Sequence, residues 1–90
     1  MEIEHKIIIE EIEYHLSKVT FDIYALAMQE YLTGEGKVNF LGAGKVVFDA
    51  CYVGNQQSLV DIQDDIKLYA NICFRAAQII QFMEGELKKN

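Results

Sequence analysis

The chain has no proline and no tryptophan, only two cysteines, and only eight lysines and arginines among its 90 residues. Each shortage narrows what the protein can be. Without proline there is no stiff linker and no forced helix break, and a hydrophobic content of 51% is far above that of disordered chains. Eight basic residues against 14 acidic ones leave a formal net charge of −6, which repels the phosphate backbone of nucleic acid. The basic residues Lys6, Lys18, Lys37, Lys45, Lys67, Arg75, Lys88 and Lys89 are scattered, and none is interleaved with aromatics as a base-stacking surface requires. No nucleic-acid partner is therefore expected. No apolar run approaches the roughly 20 residues that span a bilayer. The opening Met-Glu-Ile-Glu lacks the basic flank and apolar stretch of a secretory signal, so the expected location is the cytoplasm, with no membrane contact.

Cys51 and Cys73, with His5 and His15, offer no pair at the Cys-x-x-Cys or His-x-x-x-His spacing that prealigns metal ligands on one turn. No metal site is expected, and both thiols read as small buried hydrophobes in the reduced state. Cys51 falls near the end of a helix, where the dipole opposes a thiolate, so it is a poor nucleophile. Gly42-Ala43-Gly44-Lys45 lacks both the leading glycine and the following Ser or Thr of a phosphate loop. The acidic cluster Asp61, Asp64 and Asp65 reads as helix-terminus chemistry rather than as a cation site. No catalytic residue, cofactor or small-molecule substrate is indicated.

At this length the chain forms one domain, residues 1–90. Ile3, His5, Ile7 and Ile9 share one face of a strand, and Ile12, Tyr14 and Leu16 share one face of a second, with Glu10 and Glu11 at the reversal. Glu-Glu lacks the positive-φ residues that tight hairpins favour, and Ile8, Ile12, Leu16 and Val19 also fit a helix. The three consecutive isoleucines favour a hairpin over residues 1–17, with an all-α bundle as the alternative.

Thr20 is a candidate N-cap for a helix over 20–33, whose apolar face holds Phe21, Tyr24, Ala27, Met28, Tyr31 and Leu32 before Gly34 and Gly36 end it. Asn39 can cap a second helix over 39–53, with Gly42 and Gly44 pointing to close packing or fraying near its start. Gly54 falls where a left-handed C-terminal residue belongs, and Ser58 with Asp61 fits a capping box opening a long helix over 58–88. In that helix Ile62, Ile66, Tyr69, Cys73, Ala76, Ile80, Met83 and Leu87 alternate steps of four and three. Such a helix would be about 45 Å long, longer than so small a globule is wide. Its distal apolar face is therefore expected to meet another molecule, with Ile72, Ile79, Ile80, Met83 and Leu87 as the protein-binding residues. The fold class is α+β: an N-terminal hairpin followed by three helices, the last one long.

Three stretches carry a resemblance to a known group: Tyr14-His15-Leu16-Ser17-Lys18 leading to Ala27-Met28, Phe48-Asp49-Ala50-Cys51-Tyr52-Val53-Gly54, and the closing Glu84-Gly85-Glu86-Leu87-Lys88-Lys89. Between them, from Tyr14 to Leu87, the chain resembles small tail-assembly-chaperone-like accessory proteins of tailed phages and prophages, of the Bacteroidetes type. The resemblance implies a hairpin with three helices, a protein partner or homo-oligomer, and no active site. The expected function is thus a non-enzymatic assembly protein of phage origin in the host cytoplasm, with incorporation into the virion left open. A second reading is an acidic phage-encoded inhibitor of a host nuclease or defence protein, using Glu2, Glu4, Glu10, Glu11 and Glu13 against a basic surface.

Overall fold

The computed structural model describes residues 3–32 and 38–89, with side chains through Ile80. Two strands, β1 (His5–Ile9) and β2 (Ile12–Leu16), are followed by four helices: α1 (Phe21–Tyr31), α2 (Phe40–Cys51), α3 (Gln56–Asp64) and α4 (Ile66–Lys89). The α+β expectation holds, with four helices in place of three.

The strands pair antiparallel with Ile7 opposite Tyr14 and Ile9 opposite Ile12. Directly opposed residues share a face, so this register puts Ile7, Ile9, Tyr14 and Leu16 together into the core. The tip has only Glu10 and Glu11, with φ of 50° and 69°. Positive φ at both tip positions is the type I′ turn, one of the two whose twist matches that of the strands. Burial of the four inward side chains thus holds two glutamates in a conformation that costs L-residues about 1–2 kcal/mol each.

The Thr20 hydroxyl accepts the Ile23 amide at 3.3 Å and starts α1; the Asn39 Oδ1 accepts the Gly42 amide at 2.9 Å and starts α2. Both caps agree with the sequence. Helix α2 is central, packed against α1 on one side and α4 on the other. The stripe on α1 overreaches, for Phe21 is 80% exposed at the first turn while Ala27 is sealed against the core.

Three expectations are corrected between the second and last helices. Gly54 is not left-handed; α2 ends on Tyr52 at φ −57°, and a Cβ on Gly54 would lie 2.5 Å from the Tyr52 ring, which would have to swing aside. The next helix opens at Gln56 rather than Ser58, because the Asn55 Oδ1 reaches the Ser58 amide at 2.7 Å. The long 58–88 helix is two helices. Asp65 adopts φ −92°, ψ 95°, donating its amide to the Ile62 carbonyl at 3.1 Å while its carboxylate accepts the Leu68 amide at 3.2 Å. It closes α3 and caps α4 at once.

The hairpin is fastened to the end of α2: the Ser17 amide donates to the Cys51 carbonyl and the Val53 amide to the His15 carbonyl, both at 2.8 Å. The core is one cluster that includes Leu16, Val47, Phe48, Cys51, Ile72 and Ala76, all at most 1% exposed. Cys51 and Cys73 are both buried and free. Among the described residues no helix is long and apolar enough to cross a membrane.

Candidate protein-binding surface

As far as Ile80, the expected ridge on the last helix is not an open surface. Ile72 and Ile80 are 0% and 2% exposed, lying in the core with Ala76, and Ile79 is half-buried against it. The physical reason is the order of packing. Helix α2 covers α4 along this stripe and the hairpin approaches from the other side, so the chain roofs its own seam as far as Ile80. The side chains of Met83 and Leu87 lie outside the described residues.

What stands open is a different apolar face. The break at Asp65 frees the first turn of α4 from the seam, and Ile66 is 80% exposed although its heptad position matches that of Cys73, which is buried. Leu41 on α2 and Phe74 on α4 are 48% and 49% exposed. Leu41 and Ile66 line a shallow groove of about 260 Å³ whose floor includes Ala70 and Cys73. Phe74 is held by its neighbour rather than splayed into solvent, stacking on Phe40 at 5.1 Å between ring centres. The floor is rigid because Gly44 sets α2 directly against the Cys73 carbonyl; a Cβ there would collide with it.

A polar cluster borders this groove. Asp49 accepts the Tyr69 hydroxyl at 2.6 Å and the Gln63 amide at 3.2 Å on Oδ1, and the Lys45 ammonium at 3.0 Å on Oδ2. One carboxylate thereby ties α2, α3 and α4 together. Burial and this hydrogen bond push the Tyr69 hydroxyl well above its usual range, and burial with the Asp49 charge nearby pushes the Cys73 thiol to about 11. Burial also raises Cys51. At neutral pH both thiols and the phenol are protonated, Lys45 is charged, and the carboxylate is engaged by three donors. Nothing in the cluster is poised to attack or to accept a proton. Its chemistry is that of a clasp.

The other candidate groups are separate from it. His15 lies beside Glu13 at 3.2 Å on the hairpin, Asp61 accepts from Gln57 at 2.9 Å, and Asp65 is committed to the α4 amide. Among the described residues no three His, Cys, Asp or Glu side chains converge as metal ligands. Gly42-Ala43-Gly44-Lys45 is regular helix.

Sequence reasoning missed Leu41 and Phe74 and placed Ile66 on the wrong side of the balance. One signal was legible: an Asp three residues ahead of the Leu68 amide is N-cap chemistry, and it marks a possible new start within an otherwise continuous periodic run. No protein-family model, no curated protein and no solved structure matches the chain.

Proposed function

We propose that this chain is a non-enzymatic accessory or assembly protein of phage or prophage origin, acting in the host cytoplasm by binding a protein partner through an apolar helix face. The observation that carries the binding reading is the groove lined by Leu41 and Ile66, 48% and 80% exposed, with Phe74, 49% exposed, next in sequence to Cys73 of its floor. Scattered apolar residues are ordinary on a protein surface, but a contiguous group on a stiff support is what an interface centre is made of. Helix contact at Gly44 and the Asp49 clasp supply that support. The phage assignment rests on the three resembling stretches, of which the second forms the end of α2 and its junction with the hairpin.

The test places a photo-crosslinking benzoylphenylalanine at position 66 in producing cells. The expected result is an adduct with one partner, or with a second copy, that is suppressed by Leu41→Glu and insensitive to salt. Absence of any adduct, together with sedimentation as a monomer from micromolar to millimolar concentration, overturns the reading. An adduct that vanishes steeply with rising salt would instead favour the acidic-inhibitor alternative.

A further inference from the structure

Neither edge of a two-stranded hairpin is covered by the hairpin itself, and the two edges here are treated differently. In an antiparallel pair, alternate residues turn their N–H and C=O groups toward the partner strand and away from it. His15 turns its carbonyl away from β1, since it receives the Val53 amide at 2.8 Å, and Ser17 does likewise with its amide toward Cys51. The segment after α2 therefore closes the β2 edge. Lys6 stands opposite His15, and Ile8 lies two residues further along the same strand. Their backbone groups point the opposite way, out of the β1 edge. Among the described residues neither makes a backbone hydrogen bond outside the hairpin.

That edge opens on a groove of about 450 Å³ between β1 and α4. Four consecutive strand residues, His5 to Ile8, line it, facing Arg75 and Ile79 of α4. A sheet face presents alternate residues, so four in succession identify the strand's edge. In a chain of formal net charge −6 the groove is flanked by two cations, Lys6 and Arg75. Lys6 also lies 3.5 Å from the Glu13 carboxylate, with both side chains about half exposed. Arg75 gives one of its donors to Asn71 at 3.4 Å. At about 100° per residue Ile79 and Ala70 lie on opposite sides of α4, so this groove is independent of the apolar face.

We propose that the β1 edge takes an extended segment of a partner protein that carries acidic side chains at alternate positions, adding a third strand to the hairpin. The main chain of the segment pairs with the N–H and C=O groups of Lys6 and Ile8, its acidic side chains meet Lys6 and Arg75, and an apolar residue rests on Ile79. A second copy of this chain is the competing occupant: a two-fold axis through Ile7 would set Glu4 of one chain opposite Glu10 of the other, a like-charge pair that destabilises, whereas one through Ile8 would set Lys6 opposite Glu10.

The test titrates the full chain, labelled with nitrogen-15, with a short synthetic peptide alternating valine and glutamate, beside its valine-lysine counterpart and an N-methylated version of the acidic peptide. The expected result is movement and exchange protection of the Lys6 and Ile8 amides by the acidic peptide alone, with binding weakened about tenfold by Arg75→Glu. Arg75 is exposed, so this variant keeps the fold, and its spectrum verifies that. Equal binding of the basic peptide, undiminished binding of the N-methylated one, or unmoved Lys6 and Ile8 amides overturns the proposal. So does protection of those two amides that depends on the concentration of the chain alone, which would mean that the edge pairs with itself.

Discussion

Replacing Gly44 by alanine sets two effects of opposite sign against each other, and the structure says which wins. Gly44 lies within α2, where alanine is the better helix former by about 1 kcal/mol. On local propensity alone the substitution stabilises. The added methyl, however, would overlap the Cys73 carbonyl oxygen and come within 2.6 Å of its carbon and 3.0 Å of its Cα. Apolar contacts settle at about 3.5–4.0 Å. The obstacle is the backbone of another helix, which has no rotamer to escape into, so α2 and α4 must separate by about an ångström or more. Val47, Phe48, Cys51, Ile72 and Ala76, all at most 1% exposed, then lose contact across the gap. Overpacking costs about 1–3 kcal/mol, and with backbone on both sides the upper end applies. Subtracting the propensity gain leaves a net loss of about 2 kcal/mol, or a fall of about 8–16 °C in melting temperature for a domain of this size. Urea unfolding followed by far-ultraviolet circular dichroism measures it, with Ala50→Gly, an exposed site on the same helix, reporting the propensity contribution separately. An unchanged or raised midpoint for Gly44→Ala would refute the claim that the two helices touch through this glycine.

Four further outcomes follow from the same structure. Changing the hairpin tip to Asn-Gly (Glu10→Asn with Glu11→Gly) should raise stability by about 1–2 kcal/mol, since those residues accept positive φ readily; a lower thermal midpoint would show that the tip is not left-handed. Asp49→Ala should cost about 1–3 kcal/mol by leaving the partly buried Tyr69 hydroxyl without its acceptor, and Asp49→Asn, which keeps an acceptor, should lose less in the same urea measurement. Asp65→Ala removes the carboxylate that receives the Leu68 amide and should cost about 1 kcal/mol, seen as faster amide exchange in the first turn of α4. The folded chain holds the Cys73 and Tyr69 protons to higher pH than the unfolded chain does, so it binds more protons and its stability falls as pH rises. For Cys73 the loss sets in near 9.0 and is complete above about 11; a urea midpoint that stays constant from neutrality through this range would contradict it.

Local signals in the sequence were reliable where the deciding atoms lie within a few residues of one another. Thr20 and Asn39 cap their helices because a short side chain reaches an amide three positions ahead whatever else the fold does. The alternation of Ile7 and Ile9 with Tyr14 and Leu16 likewise fixed the inward face of the hairpin, since strand geometry turns every second side chain the same way. Periodicity carried less than it promised. The four-three steps from Ile62 to Leu87 run unbroken across Asp65, so spacing alone could not reveal that the helix stops and restarts there. Nor could it tell which part of the stripe would be roofed. Whether Ile66 or Ile80 faces solvent depends on where α2 and the hairpin come to lie, and those are contacts between residues far apart in the chain. The same holds for the role of Gly44, for the left-handed glutamates and for the unequal edges of the hairpin. A sequence records what each residue prefers with its neighbours; which preference is overruled, and which surface is left bare, is fixed only when distant segments compete for the same apolar face.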